Sequence, residues 1–165
     1  MKHALILSAV LAFAPAVALA HGDSQHQNSA AKSTAQPMVE TDFGRTGDPK
    51  KATRTISVDM KDEMHFIPSE IVVRQGETVK FVVKNSGKLM HELVIGTMKE
   101  LKEHAELMKK FPNMEHDEPY MAHVQAGKTG EIAWQFTKAG EFHFACLVSG
   151  HLEAGMVGRI KVVSK

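Results

Sequence analysis

The stretch Gly140-Glu-Phe-His-Phe-Ala-Cys146-Leu-Val-Ser-Gly-His151-Leu-Glu-Ala-Gly-Met156-Val-Gly-Arg-Ile-Lys-Val-Val163 governs the reading of this chain. Its first part alternates: Phe142, Phe144 and Cys146 share one side of an extended segment, and His143 points to the other. His143 is therefore left outside any site. Residues 157–163 alternate again. Between these two strand patterns a loop carries a thiol, an imidazole and a thioether at the spacing Cys-x4-His-x4-Met. Soft sulfur with imidazole suits copper, and two His, one Cys and a weak axial Met describe an electron-transfer copper site.

The loop supplies one histidine, so a second must come from elsewhere. His91 is the candidate, just past the strand-like run Val79–Lys84 and the turn Asn85-Ser-Gly87. Each residue alone has a plainer reading. A lone cysteine is usually a small buried hydrophobe, Met156 alone would be core filler, and His151 alone a solvated loop residue. Only the combination His91, Cys146, His151 and Met156 points to a metal.

At 165 residues the chain is one domain's worth. Residues 1–20 read as a secretory signal peptide, with a basic start, an apolar centre and a final Ala-x-Ala. The residue directly after the cleavage point is His21 and not Cys, which argues against a lipid anchor, and no later segment is long enough to span a membrane. An exported protein with a single cysteine needs a reason for the odd thiol, and copper ligation supplies one. The net charge is +1 and falls to about zero once Lys2 is cut away, so there is no electrostatic case for nucleic acid or membrane binding.

Residues 21–53 are polar and small and read as a flexible tail. His21 would begin the mature chain, where its amine and imidazole offer a further Cu(II) chelate; an ordinary tail is the competing reading. From residue 54 strand patterns follow one another: Thr55–Asp59, Glu70–Arg74, Thr78–Lys84, His91–Ile95, Tyr120–Val124, Gly130–Phe136, Glu141–Cys146 and Val157–Val163. Gln75-Gly-Glu77 reads as a hairpin turn. About eight short strands argue for an all-β sandwich. One amphipathic helix interrupts them over residues 97–111, with Met98, Leu101, Ala105 and Met108 at helical spacing, a Thr97–Glu100 capping box and Pro112 as a stop. Its Met stripe reads first as packing. A Met- and His-bearing loop follows over residues 112–123.

The chain from 54 to 165 resembles the cupredoxins. The resemblance rests on Gly-Glu-Phe-His-Phe-Ala-Cys146, His151 and Glu-Ala-Gly-Met156-Val-Gly. It implies a Greek-key β-sandwich holding one type 1 copper on His91, Cys146, His151 and Met156. Ser149-Gly150 stands where many members have Pro-Gly, a change that could loosen the loop but removes no ligand. Met90-His91-Glu92, the helical insertion and Ala-Cys-Leu-x-x-Gly-His-x-Glu-Ala-Gly-Met resemble more narrowly the CopI-type periplasmic cupredoxins of bacterial copper-tolerance systems. The insertion also brings Met98, Met108, Met114 and Met121 alongside His104, His116 and His123. They are candidates for a second, weaker Cu(I) site, which Met60, Met64 and His65 could join. Core methionines and surface histidines are the equal alternative.

The resemblance implies a periplasmic protein of copper tolerance; the leader makes a soluble, exported protein the expectation, and a monomer is taken by default. The alternative is a small electron shuttle with a redox partner protein, which would use the same ligands. A multicopper oxidase would need His on both sides of the copper cysteine, where this chain has Ala145 and Leu147. No phosphate loop, nucleophile elbow or His-Glu-x-x-His is present, and the expectation is a non-enzyme.

Overall fold

The computed structural model describes residues 37–112 and 116–165. Its strands are β1 Glu40–Thr41, β2 Gly44–Thr46, β3 Arg54–Lys61, β4 His65–Ile67, β5 Glu70–Arg74, β6 Thr78–Asn85, β7 His91–Gly96, β8 Met121–Val124, β9 Thr129–Gln135, β10 Gly140–Ala145 and β11 Val157–Val163, with one helix, α1, at Met98–Lys110. One sheet runs β1-β2-β9-β6-β3-β4 and the other β5-β11-β10-β7-β8. Most neighbours are antiparallel, but β3 pairs with β6 and β5 with β11 in parallel.

Period-2 alternation builds the core. On β5 the residues Ile71 and Val73 turn inward, and on β11 Ile160 and Val162 do the same. They meet Val58, Met60, Phe81, Val83, Ile132 and Trp134 of the other sheet. Met60 is wholly buried there, within the sandwich core. Every residue of β7 is buried because both of its faces are covered. Leu93 and Ile95 face the sandwich core, while Val94 lies with Leu101, Ala105 and Met108 of α1 and with Ala145 and Leu147.

The helix forms as its pattern predicts. Thr97 Oγ1 accepts the Glu100 amide at 3.2 Å, and Glu100 Oε2 accepts the Thr97 amide at 3.0 Å, so two otherwise orphaned donors are satisfied. Leu101, Ala105 and Met108 are buried and Met98 is only half-buried. Burying Leu101 and Met108 contributes about 1.5–3 kcal/mol each before entropy is counted.

Two expectations are corrected. The ordered domain starts before residue 54: β1, β2 and a 3-10 turn at Pro49–Lys51 occupy part of what reads as tail. Phe43 is 3% exposed, stacks on Trp134 at 5.3 Å and accepts the Trp134 indole N–H on its carbonyl at 3.2 Å. The expected tail up to residue 36, His21 and the signal peptide lie outside the described residues. The Gln75-Gly76 turn exists, with Glu77 donating to the Arg74 carbonyl at 3.0 Å. It is not a hairpin, because β5 and β6 belong to different sheets and the turn carries the chain from one to the other.

Candidate metal centre

The loop between β10 and β11 is shaped by its own backbone. Cys146 donates to the Met156 carbonyl at 3.1 Å, closing its two ends. Inside it, His151 donates to the Val148 carbonyl at 2.9 Å and Met156 to that of His151 at 3.0 Å. Gly150 and Gly155 take positive φ, 88° and 95°, where a side chain would be strained. Ser149 sits inside the first of these turns, so the loop is held there without the proline that many cupredoxins carry. α1 buttresses the loop from outside. Leu147 packs with Leu101, Ala105 and Met108, Leu152 lies against the same cluster, and Lys109 reaches Glu153 at 2.6 Å.

Three donor atoms converge at this end of the sandwich. Cys146 Sγ lies 3.2 Å from His151 Nδ1 and 3.9 Å from His91 Nδ1, and all three lie within 4.8 Å of one another. Donors about 2.0–2.3 Å from one ion are separated by about 3–4.5 Å, so the set fits a metal. His91 and Cys146 are fully buried and His151 half-buried. Met156 is fully buried in the same cluster as Cys146. Of the apolar residues next to the ligands in sequence, Leu147 is buried and Leu152 half-buried, while Leu89 and Met90 are exposed.

Asp62, in the turn between β3 and β4, orients His91. Its Oδ1 lies 3.0 Å from His91 Nε2, and the carboxylate also accepts the amides of Lys88 (2.8 Å) and Leu89 (3.2 Å). The Lys88 amide foremost holds Asp62 below the usual carboxylate range. With Nε2 donating to Asp62, Nδ1 is the bare nitrogen and faces the sulfur. Burial, followed by the proximity of His91, pulls His151 below the ordinary histidine value and favours the neutral, ligating form. Burial pushes the Cys146 thiol up to about 12, against the pull of the Glu92 amide donating to Sγ at 3.4 Å. A metal binding here must displace that proton.

Sequence reasoning gave Glu92 no role in the site. It is 1% exposed. Besides its amide on the sulfur, its Oε1 accepts the Leu147 amide at 2.8 Å and its Oε2 lies 3.0 Å from His123 Nδ1. A Glu directly after a candidate ligand, in an otherwise apolar strand, was the available signal.

The expected second group is gathered only in part. His104 of α1 and His116 have ring centroids 4.5 Å apart, and His116 and His123 5.6 Å. Met108 and Met121 line one cavity with Glu92, His116 and His123. Met98, at the start of α1, does not line it, and Met114 lies outside the described residues. Met64 packs against the sandwich core with a positive φ of 61°, and His65 is exposed on β4. His143 lies off the site, 3.7 Å from Glu141.

Residues 52–163 match the family of copper binding proteins described as the plastocyanin/azurin family. Over 164 residues the chain is 48% identical to the copper-resistant cuproprotein CopI of Rubrivivax gelatinosus, covering 98% of this chain and 99% of that protein. It is 35% identical over 161 residues to the protein of the same name from Pseudomonas aeruginosa, covering 80% and 88%. In fold it is similar to the dithionite-reduced auracyanin of Roseiflexus castenholzii, with a TM-score of 0.59 at 19% identity, covering 68% of this chain and 98% of that one.

Proposed function

The chain belongs to the plastocyanin/azurin family of copper-binding proteins, and from that premise we propose that it is an exported protein of copper tolerance holding one copper ion on His91, Cys146, His151 and Met156. The observation that carries this reading is the buried convergence of one thiol and two imidazoles within 4.8 Å, with one imidazole already oriented by Asp62. The relatives at 48% and 35% identity, each named a copper-resistant cuproprotein, support the tolerance role.

Copper bound there would supply one-electron chemistry between Cu(I) and Cu(II), and the chain's residues do the rest. Asp62 fixes the tautomer of His91, and the Glu92 amide steadies the thiolate that forms. Backbone bonds tie Met156 to Cys146 and to His151, and a loop braced in this way would keep reorganisation on redox change small. Binding rather than catalysis is the reading. Ala145 and Leu147, both buried, flank Cys146, so no histidine pair there leads to a second catalytic copper. Export rests on the leader-like residues 1–20, and among the described residues no helix is long and apolar enough to cross a membrane.

The test is growth in rising copper of a strain lacking the gene, complemented with wild type or with Cys146→Ser. Copper sensitivity rescued by wild type alone supports the reading. Rescue by Cys146→Ser would move the function away from this centre. No copper phenotype at all would sink tolerance and favour an electron shuttle built on the same ligands.

A further inference from the structure

The turn between β3 and β4 is built around one carboxylate. Met64 donates to the Lys61 carbonyl at 3.0 Å and takes a φ of 61°, a region that residues other than glycine rarely adopt. Its side chain packs against the sandwich core. Backbone strain of this kind persists where the surrounding structure fixes it, and here it sets Asp62 against the segment leading into β7.

Three donors meet the Asp62 carboxylate. The Lys88 and Leu89 amides lie at 2.8 and 3.2 Å, and His91 Nε2 at 3.0 Å. The opposing segment makes room for it, since a Cβ added at Gly87 would overlap the carboxylate. Asn85 holds that segment in shape, accepting the Gly87 amide at 2.9 Å and donating to the Leu89 carbonyl at 2.8 Å. The His91 side chain is 0% exposed and that of Asp62 only 32%. A negative charge therefore sits directly behind an imidazole that water does not touch.

We propose that Asp62 is a positioning residue that sets the reduction potential of the copper centre, acting through His91 to favour Cu(II) over Cu(I). The inference rests on the copper centre proposed above. Cu(II) carries one more positive charge than Cu(I), so a carboxylate behind one ligand stabilises it more. The His91 Nε2–H leans on that carboxylate, which makes Nδ1 the more basic donor, and the softer Cu(I) gains less from it. A brace that merely held the ring in place would support both oxidation states alike.

The experiment is a spectroelectrochemical titration of the copper-loaded mature chain, comparing wild type with Asp62→Asn, Asp62→Ala and Glu63→Gln. Glu63 is the neighbouring exposed carboxylate, and its variant removes the same charge while leaving the Asp62–His91 contact in place. Loading is read from the thiolate-to-Cu(II) absorption. Both Asp62 variants should lower the ratio of Cu(II) to Cu(I) affinity about tenfold, a rise of about 59 mV for a one-electron couple. Glu63→Gln, screened by solvent, should move the potential by less than about a quarter of that. An unmoved or lowered potential in the Asp62 variants overturns the proposal; Asp62 is then a brace only, and the copper centre still stands. An equal rise in Glu63→Gln also overturns it, because any nearby charge would then serve. A second measurement needs no variant: nitrogen NMR of His91 in the copper-free wild type should show a protonated Nε2 and a bare Nδ1, and a bare Nε2 overturns the proposal. Wild type that develops no thiolate-to-Cu(II) band overturns the copper reading itself, and this inference with it.

Discussion

Glu92 allows a quantitative test of how the centre is supported. Its carboxylate is the partner of the Leu147 amide at 2.8 Å, and Leu147 is 1% exposed. In Glu92→Ala that amide loses its acceptor in a place water barely reaches, a cost of about 1–3 kcal/mol. Glu92→Gln keeps an oxygen at the same reach and loses only the charge assistance, about 1 kcal/mol. A domain of this size melts about 3–5 °C lower per kcal/mol. The alanine variant should therefore melt about 3–15 °C below wild type in the copper-free state at pH 8, and the glutamine variant within about 5 °C. The pH matters because the Glu92 carboxylate raises His123 above the ordinary histidine value. A raised folded-state value gives stability that is fully present below the unfolded value near 6.5 and lost as pH rises through the folded one. Measuring at pH 8 reduces the charged His123–Glu92 contribution relative to that of the Leu147 bond, and at pH 5.5 the glutamine variant should fall further behind wild type. The sulfur keeps its donor in both variants, since that donor is the residue 92 backbone amide. If Glu92→Ala melts within about 1 °C of wild type at pH 8, the Leu147 bond does not support the loop and this reasoning is wrong.

Further outcomes follow from the same geometry. Without copper, Cys146 should alkylate far more slowly than a free thiol at pH 8, because burial lifts it to about 12. Its rate should climb about tenfold per pH unit between pH 7 and 10, and a plateau near pH 8.5 would refute this. Asp62→Ala removes the carboxylate from His91 Nε2 and should weaken copper binding about 10–100-fold, read by chelator competition, while saturated protein keeps its absorption. A Cβ added at Gly158 would overlap the Phe144 ring beneath the site; Gly158→Ala should cost about 1–3 kcal/mol or more in denaturant unfolding, and an unchanged midpoint would show that the ring can move aside.

Local signals carried much of the fold. The capping box at Thr97, the alternation in β5, β10 and β11, and the Cys-x4-His-x4-Met loop are all written within short windows, and the structure brings His91, Cys146 and His151 into one cluster. What stayed hidden was long-range. Asp62 meets His91 across 29 positions, and nothing near Asp62 marks it as more than a turn residue. Phe43 lies among polar neighbours, so its burial is visible only when Trp134 is placed beside it. The Gln75-Gly76 turn has hairpin chemistry whether the strands pair or part company. Methionines divided by depth, not by sequence: Met60 went to the core, and Met108 and Met121 to a cavity wall.

The clasp of Phe43 on Trp134 bears on the order in which the domain assembles. The two are 91 positions apart, so a chain emerging N-terminus first must leave the edge strands β1 and β2 waiting until β9 arrives. Contacts at such separation close slowly. The copper loop lies later still, and its outer support, α1, is already available before β9 is made. Trp134 is the chain's only tryptophan, placed where that edge latches. Its emission during refolding therefore times the closing of the first sheet, and the visible band of added copper times the completion of the second, two clocks in one molecule without any label.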